Sequence, residues 1–295
     1  MMLIKMISFF FLFLSFISFA QKAHEEKTLL IRCDDIGMSH SVNLAAEAMI
    51  ESGTPFSASV MFTCPWYKEA VDILKSAENI SIGIHLTLNA EWKNYRWGPV
   101  SGANAVPSLV DDDGYFFPSR ASLYENNPIV EEIEVELRAQ IKRALNSGLQ
   151  IDYVDYHMGT AVDKPEYRLI VEKLAREFNF GISRYFDEID LPSMYSVPIP
   201  DKLDSLIYTV SQLHDTNINL LVCHIGIDNA ELKSMKDMNT FGLAEMSKHR
   251  NAELNALLSD EFSEFIIQNR IRLITYKDLC NSDLIEMKRP VDIGY

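Results

Sequence analysis

The stretch IRCDDIGMS, residues 31–39, decides how the rest of the chain is read. An apolar run at 28–31 leads into the adjacent acids Asp34 and Asp35. Gly37 and Ser39 follow, and an amphipathic helical pattern begins there. A buried strand that ends in two acids before a helix is the edge at which α/β proteins place their chemistry. Working outward, His85, His157 and His224 each fall at or near the end of another strand-like run.

These runs lie at 56–62, 80–88, 151–157, 182–186, 219–224 and 271–275, which with 28–31 makes seven. Helical patterns alternate with them. Val42, Ala45, Ala46 and Met49 form one stripe, and Ile133, Leu137, Ile141 and Leu145 another; a helix over 165–180 is closed by Gly181, and one over 252–270 breaks near Ser259. Strands alternating with helices predict a parallel α/β architecture, here a single-domain, distorted seven-stranded (β/α) barrel. The segment 91–120 shows no period and carries Trp92, Tyr95 and Trp97. A loop of that length in a compact domain is usually functional, and exposed Trp92 and Trp97 rings would suit stacking on sugars.

The chain has 295 residues, 47% of them hydrophobic, which is enough for one large core. Residues 1–20, with Lys5 ahead of an apolar run and Ser18-Phe19-Ala20 at its end, read as a signal peptide. The mature domain would then be 21–295, exported to the periplasm or secreted, with no membrane attachment after cleavage. No later stretch is long and apolar enough to span a bilayer. A net charge of -15 repels nucleic acid. The four cysteines have no metal-ligand spacing, and sequence does not say whether any two are bridged.

One carboxylate and two imidazoles at the ends of three parallel strands make a three-ligand metal site with open positions. Asp35, His85 and His157 supply that set. The ion would be divalent, Zn or Mg, and non-haem Fe(II) uses the same ligand types. Adjacent strand residues point to opposite sides, so Asp34 needs its own role. It acts as a general base, or else it caps the turn or pairs with a cation such as Arg184. His224 is placed to act as the complementary acid. Asp155, two residues before His157, could orient an imidazole. There is no phosphate-binding glycine loop and no GxSxG elbow.

The ordered set DDIG (34–37), GIHLTL (83–88), DYHMGT (155–160) and CHIG (223–226) resembles the YdjC-like (ChbG/HpnK-type) carbohydrate deacetylases. VPSLVDDDGYF (106–116), ELRAQI (136–141), R-x-x-EL (250–254) and ITYKDL (274–279) extend the resemblance over nearly all of the mature chain. It implies a distorted (β/α) barrel related to polysaccharide deacetylases. It also implies a divalent metal held by Asp35, His85 and His157, with Asp34 as base and His224 at the late HPG motif. Two features depart from the pattern. Met158 and Gly159 stand where many members have a further His, and Ile225 replaces the Pro of HPG. The expected activity is removal of an N-acetyl group from an acetylated amino sugar or chitooligosaccharide. The rival readings are an exported carbohydrate-binding protein and a metal-dependent esterase or phosphoesterase. A homodimer is left open.

Overall fold

Strand β1 (Thr28–Ile36) organises the sheet in this computed structural model, which describes residues 26–282 and 286–291. The expected signal peptide, 1–20, lies outside the described residues. All of β1 beyond Thr28 is buried, as the continuous apolar run requires of a parallel strand covered on both faces. Seven further strands follow in chain order: β2 (Phe56–Val60), β3 (Ile80–Leu86), β4 (Tyr153–Tyr156), β5 (Gly181–Ile182), β6 (Glu188–Asp190), β7 (Ile218–Cys223) and β8 (Arg272–Ile274).

One edge of β1 pairs with β7 from Thr28 to Cys33. The other edge carries β8 at Thr28–Leu30 and β2 from Arg32 onward. The ladder runs β5-β4-β3-β2-β1-β7-β6, every pairing is parallel, and among the described residues no ladder joins β5 to β6. The result is the expected single-domain α/β fold, a distorted and incompletely closed (β/α) barrel. Each expected run overlaps an observed strand. The addition is β6, three residues with no buried position, too short and polar to leave an apolar signal.

Local signals explain most helix ends. Ser39 accepts from the Val42 N–H at 3.3 Å and starts the helix His40–Glu51. Ser259 accepts from the Phe262 N–H at 3.1 Å, and so separates the helices Met246–Leu257 and Asp260–Gln268. The helix Val130–Asn146 buries Ile133, Leu137 and Ile141, but Leu145 is 40% exposed and drops out of the expected stripe. The helix Pro165–Phe178 is closed by Asn179 in the left-handed conformation (φ 59°), because Gly181 is already part of β5.

One point left open by the sequence is answered, and one expectation changes. All four cysteines are free, and Cys33 and Cys223 are register partners in β1 and β7. Trp92 and Trp97 are each only 2% exposed. Trp97 donates from Nε1 to the Asn89 carbonyl at 2.7 Å, and the Trp92 indole meets the Met38 sulfur at 3.2 Å. Both rings are folded inward, and each finds a partner outside the loop for its N–H, as a buried indole requires.

Candidate active site

The acids at the end of β1 both reach the barrel mouth because the strand stops being regular there. Its register with β2 shifts between Cys33 and Ile36, and Asp35 takes a left-handed φ of 64°. Such a conformation is costly for a residue other than glycine and marks a site held by its surroundings. It removes the strand alternation that would have sent Asp34 and Asp35 to opposite sides.

Asp35 Oδ1 lies 3.2 Å from His157 Nδ1 and 3.4 Å from His85 Nε2, and those two ring nitrogens are 3.3 Å apart. All three residues are buried, and Asp35 Oδ1 has no hydrogen-bond partner among the described residues. A buried carboxylate oxygen facing two imidazole nitrogens without bonding either is what a cation would satisfy. The two imidazoles are oriented from behind. His85 Nδ1 is 3.1 Å from Asp155 Oδ1, and His157 Nε2 is 3.0 Å from Glu91 Oε2. Carboxylates on the far nitrogens fix the tautomer of metal-binding histidines, leaving Nε2 of one and Nδ1 of the other for the ion.

A second cluster, Asp34, His85 and Asp155, is equally compact, but a cation is already there. Arg32 Nε is 2.7 Å from Asp34 Oδ1 and 3.0 Å from Asp155 Oδ2, while its Nη2 donates to Asp34 Oδ2 at 2.8 Å and its Nη1 to Ser183 Oγ. This corrects the expected partner of Asp34: the cation is Arg32, and Arg184 pairs with Asp190 at 2.7 Å. Asp155 also accepts from Ser59 Oγ, which is 2.7 Å from Tyr153 Oη. Gly83 leaves room for that tyrosine, since a Cβ there would come within 2.3 Å of Tyr153 Cζ.

Burial disfavours ionised Asp34, but the Arg32 guanidinium outweighs it and holds the carboxyl below its ordinary range. Burial also opposes ionised Asp35, and Arg250 with the two imidazoles holds it well below that range. His224 lines the same cavity, with its Nδ1 unpartnered among the described residues and its backbone N–H donating to Glu253 Oε2 at 2.8 Å. Burial lowers its basicity.

In the metal-free state burial works against charged His85 and His157. The Asp155 and Asp34 carboxylates nevertheless push His85 up to about 10, and Glu91 and Asp35 push His157 up to about 9. Metal ligation needs neutral imidazoles, so uptake at pH 7 is expected to release about two protons, and affinity is expected to rise with pH until it passes these values. Calorimetry in buffers of differing ionisation heat measures the release. Zero release would mean that both rings are already neutral. In the metal-free protein, the raised values add stability that is complete below 6.5 and lost as the pH climbs toward 10.

The cavity has a volume of about 780 Å³ and is lined by Asp34, Asp35, His85, His157 and His224 together with Trp92, Arg184, Tyr195 and Phe241, but not by Asp155. Trp97 is not among its lining residues; it touches the site only through an edge contact with His157 at 6.2 Å between ring centroids. Sequence reasoning gave no role to Arg32, Glu91, Arg250 or Glu253, although the R-x-x-EL motif contains the last two. Arg32 stands two residues before Asp34 on a strand, where i and i+2 share a face. Arg250 and Glu253 are three apart on one helix, a spacing that places both on the same side. Nothing in the local pattern marked Glu91.

A parallel α/β barrel with a buried Asp/His/His cluster opening into a sugar-sized cavity defines the class. The YdjC-like protein family model matches residues 28–268, and the chain belongs to that family. It is 29% identical to a carbohydrate deacetylase of Brevibacillus brevis, over 85% of this chain and 99% of the relative. It is 27% identical to a carbohydrate deacetylase of Listeria welshimeri, with the same coverage. An Enterococcus faecalis V583 crystal structure, of a protein proposed to cleave cellobiose-phosphate, superposes with a TM-score of 0.70 at 25% identity, covering 86% of this chain and 99% of that one. Among the described residues no helix is long and apolar enough to cross a membrane.

Proposed function

We propose that the protein is a metal-dependent carbohydrate N-deacetylase that releases acetate from an acetylated amino sugar. The observation that carries this reading is the unpartnered Asp35 Oδ1 between two imidazole nitrogens, in one cavity with Asp34 and His224. The names of the two bacterial relatives support it.

Asp35, His85 and His157 would hold the ion. Two imidazoles with one carboxylate suit Zn or Fe(II) better than the all-oxygen surroundings that Mg prefers. A divalent ion there supplies Lewis acidity, which makes water a competent nucleophile near neutral pH. Asp34, ionised and held bidentately by Arg32, takes the proton of the attacking water. Water adds to the acetyl carbon and the C–N bond breaks. Protonated His224 gives a ring proton to the departing amine, and burial makes that proton easier to release.

The test is acetate release from chitooligosaccharides, with and without chelator and with Zn added back. O-acetyl and phosphate-ester substrates run in parallel. Chelator-sensitive acetate release from the amide is expected. Activity only on esters or phosphates, or tight glycan binding with no acetate, would overturn the reading.

Phe241 replaces Trp97 as the stacking surface in this proposal. It is 66% exposed and lines the cavity. Its loop is tied to the wall that carries Glu91: the Lys93 N–H donates to the Lys236 carbonyl at 2.8 Å, and the Met238 N–H to the Glu91 carbonyl at 2.9 Å. Asn239 Nδ2 adds a bond to the Pro118 carbonyl at 2.9 Å. An aromatic held in water by a tied loop suits the apolar face of a second sugar. Phe241→Ala is expected to raise KM for a disaccharide about tenfold, the size of one aromatic contact, with kcat little changed. Steady-state kinetics on mono- and disaccharide substrates checks it; an unchanged disaccharide KM would remove Phe241 from the site.

A further inference from the structure

His224 follows Cys223, the last residue of β7, so the strand ladder no longer holds it. Its backbone N–H donates instead to Glu253 Oε2 at 2.8 Å. The other oxygen, Oε1, accepts from Lys202 Nζ at 3.0 Å. Lys202 also donates to the Met194 carbonyl and, at 3.2 Å, to the Tyr195 carbonyl. The Tyr195 ring then meets the His224 imidazole edge-on, with centroids 5.6 Å apart. Lys202 and Glu253 are each 1% exposed and come from two helices packed together, Lys202–Ser211 and Met246–Leu257. Neither lines the cavity, whereas Tyr195 and His224 both do. An apolar pair would pack these helices as well as a buried ion pair does. It could not accept the His224 N–H and satisfy two loop carbonyls at once. Lysine brings three donors and all three are used; glutamate brings two oxygens and each has a partner.

We propose that Lys202 and Glu253 are positioning residues for the proton transfer made by His224. The proposal rests on the N-deacetylase reading above. Glu253 holds the backbone from which the imidazole projects. Lys202 holds the loop whose Tyr195 bounds the same ring, and the bond between the two charges keeps both supports in one register. In the step served, the C–N bond breaks and its electron pair stays on nitrogen. A ring proton of His224 moves to that nitrogen, and the imidazole is left neutral. Lys202 and Glu253 exchange no proton and touch no substrate. A proton donor works only within hydrogen-bond reach of its acceptor. A displacement of about 1 Å, caused by a change remote from the chemistry, can cost about 10²-fold in rate.

The test compares wild type with Glu253→Gln and with the double variant Lys202→Met/Glu253→Gln, each also combined with His224→Ala. The amide has one acceptor oxygen where the carboxylate uses two, so one support is lost. The double variant removes both charges together and strands neither. Metal content, kcat per bound metal and KM are measured on chitooligosaccharides, whose leaving amine must gain a proton, and on p-nitrophenyl acetate, whose phenolate leaves without one. The proposal expects amide kcat per bound metal to fall about 10²-fold, with ester turnover and both KM values within about threefold. It also expects little further loss once His224 is already alanine, since groups that act as a unit are not additive. Unchanged amide turnover, equal loss on both substrates, or full additivity with His224→Ala overturns it. If one variant fails to fold, as judged by its melting curve, the other decides. A wild type with no amide turnover overturns the deacetylase reading and this proposal with it. An active wild type whose variants slow on both substrates alike overturns this proposal alone.

Discussion

Replacing Asp35 by alanine is expected to abolish metal binding and activity together, and to destabilise the fold. The carboxylate has two jobs. Oδ1 faces His85 and His157, and Oδ2 carries Arg250. Losing a ligand from a three-residue set should weaken metal affinity by more than the roughly 10–100-fold seen when only a supporting partner of a ligand is removed. Losing the partner of Arg250 leaves a buried guanidinium unpaired, and breaking such a pair costs about 3–5 kcal/mol. His157→Ala should lose metal while leaving Arg250 paired, and it strands the buried Glu91 carboxylate instead. Elemental analysis, acetate release and a denaturant melt on both variants separate the two effects. A Asp35→Ala protein that kept its metal would remove Asp35 from the ligand set.

Asp34→Asn should behave in the opposite way, with metal retained and turnover lost. A positioned general base contributes about 10²–10⁴-fold, and that is the expected fall in kcat. The amide keeps the shape of the carboxylate. Arg32 also keeps Asp155 at 3.0 Å and Ser183, so its guanidinium is not stranded as Arg250 would be. The stability cost should therefore stay near that of one weakened buried hydrogen bond, about 1–3 kcal/mol. Normal turnover in Asp34→Asn would mean that Asp34 serves only as the counter-charge of Arg32. The contrast between neighbouring acids is the sharper test: one variant should lose the ion, the other only the rate.

Much of this was legible in the chain. A parallel strand buried on both faces writes itself as an apolar run, which is why β1, β3 and β7 stand where the sequence puts them. Strand ends in a parallel barrel share one rim, so Asp35, His85 and His157 could be grouped before any coordinates. What stayed hidden depends on contacts between distant segments. The left-handed turn at Asp35 has no local signature, since the residue there is not glycine. Glu91 follows β3 like any polar residue that opens a loop, and only the folded chain shows it behind His157. The exposure of the tryptophans was misread for a related reason: a loop that looks irregular in sequence can still have an interior, and residues 91–120 bury Trp97 there while Trp92 lines the cavity. Arg250 and Glu253 carried a spacing signal, but spacing fixes which face they share and not what that face meets.

The placement of β1 bears on how the molecule is made. Its two edges are completed by β7 and β8, which leave the ribosome some 190 and 240 residues later by their paired positions. Until they emerge, the central strand of the sheet has only β2 beside it. Pairings that remote form slowly, because a long loop must close before they return any energy. Truncation that removes β7 or β8 should therefore expose the edges of β1 and yield insoluble protein rather than a smaller working one, which a solubility assay checks.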